Sequence, residues 1–166
     1  MFAETLVHAG GTTEGHASEA HAFQLLRRAL RRGYTVTPTA AGGVVITWTA
    51  RRLQGGGALE EARSVTLTPH TPAGQLTEAV RAALAVLDRS PAALPAVQGG
   101  RTVIRAGVQR IGHGMTSRLY GHRLVVEERG RVRLTLVAYL ALLAARGASP
   151  EAVAAVFLPE RAAVSA

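Results

Sequence analysis

The arginines of this chain are concentrated in residues 101–133. Eight arginines lie there against Glu127 and Glu128, so six of the chain's eight net positive charges fall in this stretch. A guanidinium group presents a planar fork of donors that holds a phosphate through two hydrogen bonds. His113 and His122 belong to the same stretch, and a histidine adds positive charge when it is protonated. This pattern is typical of a phosphate-binding surface, although a solvated surface that keeps an apolar protein soluble has the same composition.

The position of the arginines carries more information than their number. All 19 basic residues are Arg, and the chain contains neither Lys nor Asn. A GC-rich genome produces this bias without any selection for phosphate binding. The local excess in residues 101–133 is therefore the feature that indicates a binding function.

Side chains suited to catalysis or metal binding do not form a set. The chain has no Cys and a single Asp, Asp88, which makes a closed metal site difficult to complete. His16 and His21 are separated by about 140° around a helix, so they do not share a face. Nucleophile-elbow, dinucleotide-binding and kinase signatures are absent. The sequence therefore predicts a protein that is not an enzyme and that needs neither a cofactor nor a metal.

The composition is that of a folded chain rather than a disordered one. Hydrophobic residues make up 48% of its 166 residues, enough for the core of one domain or of two small ones. Residues 1–11 lack the charged and apolar regions of a signal peptide. The longest apolar run, residues 134–145, has twelve residues, whereas a helix that crosses a bilayer needs about 20. The sequence predicts a cytoplasmic protein without a membrane partner.

The first half of the chain predicts an α-β-β-β-α unit over residues 17–89, preceded by a flexible N-terminus at residues 1–16. Alternating apolar and polar residues predict three strands, in residues 34–39, 44–49 and 64–68. Apolar spacings of three and four residues predict helices on both sides of them, from Ser18 to Gly33 and from Thr71 to Asp88. Residues 51–63 are expected to form a mobile loop. The unit should have two layers, with a threonine-rich outer sheet face.

A linker at residues 90–100 is expected to separate this unit from a second, basic unit at residues 101–158. Its predicted elements are a short helix, a helical turn, a hairpin and two helices, at residues 101–111, 116–120, 124–134, 136–146 and 149–157. Arg129 and Gly130 should form the hairpin turn, because glycine accepts positive φ. Residues 159–166 are expected to be a C-terminal tail. The whole chain is predicted to be an α+β protein.

The helix, hairpin and helix of the basic unit resemble part of a winged-helix DNA-binding domain. In that family the helix before the wing enters the major groove, and the wing follows the backbone. The resemblance implies that four residues before the hairpin face bases, namely Thr116, Ser117, Arg118 and Tyr120. It also implies that three residues of the hairpin contact phosphates, namely Arg129, Arg131 and Arg133.

The element order of residues 17–89 is similar to that of double-stranded-RNA-binding domains. In that family a basic run near the start of the second helix holds phosphates. Residues 73–76 occupy this position and contain no basic residue. DNA is therefore indicated more strongly than RNA.

These observations lead to two alternative functions. The first is a small, non-enzymatic DNA-binding accessory protein whose site comprises Arg105, Arg110, Thr116, Ser117, Arg118, Arg123, Arg129, Arg131 and Arg133. The second is a protein–protein interaction or assembly component that does not bind nucleic acid. Residues 134–145 are apolar almost all the way round, so a helix there must be buried on several sides. We expect a second copy of the chain to cover this helix in a homodimer, unless the sheet of the first half covers it within one chain.

Overall fold

A five-stranded antiparallel sheet with the order β2-β1-β5-β4-β3 is the largest element of the structure. The structure is a computed structural model, and it describes residues 1–159. Its strands are β1 (Phe2–His8), β2 (Gly11–Ala17), β3 (Thr35–Pro38), β4 (Val44–Gln54) and β5 (Gly57–Pro69). Strands β4 and β5 extend beyond their neighbours, because β3 pairs with β4 through Thr47 and β1 pairs with β5 from Ser64 onward. Residues 48–63 therefore form a two-stranded arm that projects from the sheet.

Two smaller antiparallel sheets follow in the second half. One has the order β6-β7-β8, and the other is the hairpin β9-β10. Their strands are β6 (Leu94–Gln98), β7 (Arg101–Ala106), β8 (Gln109–Ile111), β9 (Val125–Glu128) and β10 (Arg131–Leu134). The backbone N–H of Val132 donates to the carbonyl of Ala93 at 2.9 Å. This bond attaches the hairpin to the segment that leads into β6.

Helices connect the sheets and cover them. They are α1 (Glu19–Arg31), α2 (Glu78–Asp88), α3 (His113–Gly121), α4 (Leu136–Ala145) and α5 (Pro150–Phe157). Four of them begin at a Ser or Thr whose side chain accepts a backbone N–H of the first turn, as N-caps do; these residues are Ser18, Thr77, Thr135 and Ser149. Apart from Val103, the buried apolar residues of both halves form one contiguous cluster.

Helix α4 lies at the centre of this cluster. Leu140 is 0% exposed, and seven of the ten helix residues are buried within the single chain. The β3–β4 turn packs so closely on α4 that a Cβ at Gly42 would stand 2.6 Å from the carbonyl oxygen of Val137. The N–H of Leu136 donates to Glu19 of α1 at 3.0 Å. The first half therefore covers α4, and no exposed apolar face remains on it for the homodimer contact that the sequence suggested.

The predicted α+β class is confirmed, together with α1, the hairpins β3–β4 and β9–β10, and helices α4 and α5. The sequence of elements α3, β9, β10 and α4 is compatible with the winged-helix resemblance. Residues 160–166 of the expected tail lie outside the described residues. Among the described residues, no helix combines the length and the apolar character needed to span a bilayer.

Two segments expected to be flexible are strands instead. Residues 2–8 and 11–17 form a hairpin on the edge of the main sheet, where Phe2 is 0% exposed and β1 pairs with β5. Residues 51–63 belong to the arm, because Gly55 and Gly56 take positive φ and close a tight turn between long paired strands. In both places glycine marks a hairpin turn rather than a loop.

The predicted short helix at residues 101–111 is wrong. Ile104, Ala106 and Ile111 lie on the buried face of a β7–β8 hairpin, with Gly107 at a φ of 62° in its turn. The expected linker at residues 90–100 likewise contains β6. A strand period of two places Ile104 and Ala106 on one buried face, whereas a helical period does not.

The predicted start of α2 at Thr71 is also wrong, since the helix begins at Glu78. The N–H of Ala73 donates to the carbonyl of Ala41 at 2.9 Å. Gly74 has a φ of 69° and lies against the ring of His122. Contacts with the β3–β4 turn and with the end of α3 therefore hold residues 71–76 in a non-helical path.

We expect Leu140→Ala to lower the free energy of unfolding by about 2–5 kcal/mol, because it leaves a cavity in the centre of the core. Val156→Ala, at a position that is 43% exposed on α5, should change it by less than about 1 kcal/mol. Urea denaturation followed by circular dichroism measures both values. Equal losses for the two variants would contradict the central position of α4.

Candidate nucleic-acid interface

Three arginines occupy one exposed sheet face, the outer face of β6–β7–β8. Arg105 on β7 lies directly opposite Arg110 on β8 and opposite Leu94 on β6. Residues opposite each other in antiparallel strands point to the same side of the sheet. Arg101 lies four residues before Arg105 on β7 and shares that side. We refer to Arg101, Arg105 and Arg110 as the arginine face.

A small apolar contact underlies the arginine face. Val103 lies between Arg101 and Arg105 and is 5% exposed, yet it does not belong to the main core cluster. The Nη1 of Arg110 donates to the Oε1 of Gln98 at 2.5 Å. Because Gln98 is on β6 and Arg110 on β8, this bond crosses β7 at the level of Val103. The Arg110 side chain is therefore held over an apolar patch instead of extending freely into solvent.

The stretch of sequence that contains this face has no Asp or Glu. Residues 89–126 contain six arginines and no Asp or Glu. In the part of the chain that the structure describes, no arginine of the face forms an ion pair with a carboxylate. Like charges placed directly opposite each other destabilise a sheet. Arg105 and Arg110 are therefore in an arrangement that an anionic ligand would relieve.

The hairpin β9–β10 carries the other predicted phosphate contacts, but carboxylates accompany them. Arg131 lies opposite Glu128, and the Nε of Arg133 is 3.7 Å from the Oε2 of Glu128. Arg129 occupies the turn with a φ of 54°. The exposed ion pair is weak, yet it reduces the positive potential of the hairpin relative to that of the arginine face.

Helix α3 does not present the four side chains that the winged-helix resemblance implied. Thr116 is 1% exposed, and its hydroxyl donates to the carbonyl of Ile111 at 3.1 Å, so it cannot contact a base. The Nη2 of half-buried Arg118 donates to the carbonyl of Gln75 at 3.1 Å. Ser117 is exposed. Burial, followed by the charge of Glu127, raises the pKa of half-buried Tyr120, so its phenol stays neutral.

Arg123 ends α3 in a left-handed conformation with a φ of 51°. The hydroxyl of Thr135 donates to the Arg123 carbonyl at 2.6 Å and holds this conformation. The side chain of Arg123 lines a concavity of about 540 Å³ between the main sheet and the hairpin, together with Glu19, His70 and Tyr120. A carboxylate thus shares the surroundings of Arg123, in contrast with the arginine face.

The structure therefore brings together two of the predicted site residues on one face, Arg105 and Arg110. Arg101 and Gln98 were not among the predicted site residues; the sequence predicted a helix for the first and a linker for the second. Alternation of exposed Arg with buried Ile104 and Ala106 is the signal that would have found the face. Within residues 1–159, His, Asp and Glu side chains form no group of three able to hold a metal ion.

No family model, curated protein or solved structure matches this chain.

We expect Arg123→Gly to raise the free energy of unfolding by roughly 0.5–1 kcal/mol, because glycine adopts positive φ without the strain that a Cβ causes. Arg131→Gly removes the same charge from a regular strand and should lower it by a similar amount. Urea denaturation compares the two variants. A loss of stability in both would show that Arg123 is not strained.

Proposed function

We propose that this protein binds double-stranded DNA and does not catalyse a reaction. The arginine face makes the main phosphate contacts, and the hairpin β9–β10 adds weaker ones. The observation that carries the proposal is the pairing of Arg105 with Arg110 on an exposed sheet, where neither has a carboxylate partner within residues 1–159. Guanidinium groups bind phosphate oxygens through short, charge-assisted hydrogen bonds. A polyanion supplies the negative charge that this face lacks.

The contacts favour binding to the DNA backbone over reading of bases. Base readout in the major groove requires several exposed polar side chains on one helix or ribbon. On helix α3, Thr116 is buried, and Arg118 donates to a backbone carbonyl. Of the four side chains predicted to face bases, Ser117 is the exposed polar one that remains. Phosphate contacts position a protein without specifying sequence. The proposed binding therefore has low sequence specificity.

Replacing Arg101, Arg105 and Arg110 together with Gln tests the proposal. We expect the variant to bind a short DNA duplex more weakly, with the slope of log affinity against log salt reduced by roughly one unit per lost phosphate contact. Fluorescence anisotropy of a labelled duplex, measured between about 50 and 200 mM salt, gives the slope. A duplex of RNA in the same assay distinguishes the two nucleic acids.

A variant with equal loss of charge provides the control. Replacing Arg81, Arg89 and Arg146 with Gln also removes three exposed arginines, from positions on or beside α2 and α4, and should leave the slope unchanged. Replacing Arg129, Arg131 and Arg133 should have an effect between the two. An equal reduction of the slope in all three variants would show that binding depends only on net charge. The absence of any salt-dependent binding would refute the function.

A second candidate function, protein–protein assembly, is favoured by the arm. Leu53 is 89% exposed and Leu59 is 60% exposed near its tip, and the two residues lie on opposite sides of the ribbon. An exposed ribbon with apolar residues is able to pair with another chain. Sedimentation of the protein and of a Leu53→Asp, Leu59→Asp variant tests this function. A concentration-dependent oligomer lost in the variant supports it, and a monomeric protein excludes self-assembly through the arm.

A further inference from the structure

A pocket of about 400 Å³ lies at the base of the arm, between α1 and the main sheet. Its floor is apolar and includes Leu25, Ile46 and Val65. Its walls combine two aromatic rings with three arginines, which are Tyr34, Trp48, Arg28, Arg32 and Arg63. No residue of the pocket belongs to the arginine face or to the hairpin β9–β10.

The strand register explains how the aromatic rings meet. Ile46 pairs with Val65 on the core side of the sheet, and Trp48 pairs with Arg63 one step further along the same side. Tyr34 precedes β3, whose Thr35 pairs with Thr47. The rings of Tyr34 and Trp48 are consequently stacked, with their centroids 5.1 Å apart and their planes 8° from parallel. Both rings are half-buried and line the pocket, so an edge or face of the stack stays accessible.

The arginines of the pocket differ in how firmly neighbouring groups hold their side chains. The Nη2 of Arg63 lies 3.2 Å from the Oε2 of Glu61, and Glu61 also accepts the backbone N–H of Ala9. That backbone hydrogen bond, followed by the bond from Arg63, lowers the pKa of Glu61, so the carboxylate is ionised and fixes the guanidinium. Arg28 and Arg32 are exposed at the C-terminal end of α1, where they complement the helix dipole.

Arg63 also has an unused donor. Its Nε is buried and has no hydrogen-bond partner among the described residues. A buried donor without a partner is costly, and native structures normally satisfy it with protein, water or ligand. An anion in the pocket would contact the Arg63 guanidinium, which lines the pocket and is already held in place by Glu61.

We propose that this pocket binds a nucleoside 5′-phosphate unit, with the base stacked on the Tyr34–Trp48 pair and the phosphate held by Arg63, Arg28 and Arg32. Stacking on an aromatic side chain accepts any base, because every base has a π face. Arginine holds phosphate through paired hydrogen bonds. A simple inorganic anion would leave the aromatic wall unused, and an apolar ligand would leave the arginines unpaired. The unit is either a free nucleotide or one nucleotide of a single strand.

Trp48 supplies a local measurement, because it is the one tryptophan of the chain. Titration of the full chain with adenosine 5′-monophosphate should quench Trp48 fluorescence to saturation. Adenosine, inorganic phosphate and phenyl phosphate each lack part of the ligand. The affinity of the protein for each of them should be lower by at least roughly tenfold. A short single strand of deoxyadenosines that binds more tightly than the mononucleotide identifies a strand as the source, and equal affinity identifies the free nucleotide.

Two variants and a matched control test the contacts. Arg63→Gln and Arg28→Gln should each weaken binding of adenosine 5′-monophosphate while leaving that of adenosine unchanged. Arg51→Gln removes an arginine of the same arm that lies on its opposite side, 3.6 Å from Glu60, and should bind the nucleotide like the parent chain. Circular dichroism of each variant confirms that the fold is retained.

The proposal is overturned if adenosine 5′-monophosphate does not quench Trp48, if phenyl phosphate binds as tightly, or if Arg51→Gln weakens binding as much as Arg63→Gln. The variant that lacks Arg101, Arg105 and Arg110 should bind the mononucleotide normally. Its loss of duplex binding and the loss of nucleotide binding by Arg63→Gln are therefore separate results, and either proposal can fail without the other.

Discussion

The burial of α4 is the constraint on which the rest of the structure depends. Its residues are apolar around the whole circumference, so the helix is stable only when other elements surround it. The β3–β4 turn meets it closely enough to require glycine at Gly42. Glu19 of α1 accepts the N–H of Leu136, and the phenol of Tyr139 donates to Asp88 at the end of α2. One helix of the second half thus joins elements of the first half into a single core.

This central packing determines where the charged groups lie. The hairpin β9–β10 leads directly into α4, and Val132 at its centre is buried and bonded to Ala93. The arginines of the hairpin therefore project from a strand pair fixed to the core, beside their own carboxylates. The sheet β6–β7–β8 buries Ile104 and turns its arginines outward. Within the described residues these arginines form no ion pair with a carboxylate. The same residue type consequently has different electrostatic surroundings on two neighbouring sheets.

A second contrast separates the arginine face from the pocket at the base of the arm. Arg105 and Arg110 face each other in solvent over a small apolar patch, a geometry suited to an extended polyanion. Arg63 lies beside stacked aromatic rings and is oriented by Glu61, a geometry suited to one compact ligand unit. Orientation by a neighbouring carboxylate gives specificity, whereas a row of uncompensated charges gives affinity that falls with salt. The two surfaces accordingly differ in the ligand that their geometry would suit.

Local sequence by itself determined those elements whose signals are contained within a few residues. Ser18, Thr135 and Ser149 cap their helices through their own side chains, and one or two glycines lie in each hairpin turn of the described residues. The concentration of arginines in residues 101–133 and the all-round apolar character of α4 are also properties of sequence alone. The α+β class follows from these patterns.

Tertiary structure decided everything that depends on contacts between distant residues. Residues 2–8 became a strand because β5 offered an edge, and residues 101–111 became a hairpin because Ile104 and Ile111 are buried together. Residues 71–76 stayed non-helical because the β3–β4 turn and His122 hold them. Thr116 left the predicted site because the folded chain buries it and its hydroxyl donates to the carbonyl of Ile111 at the end of β8. Pairing and burial are long-range interactions, and residue spacing does not reveal which partner a segment will meet.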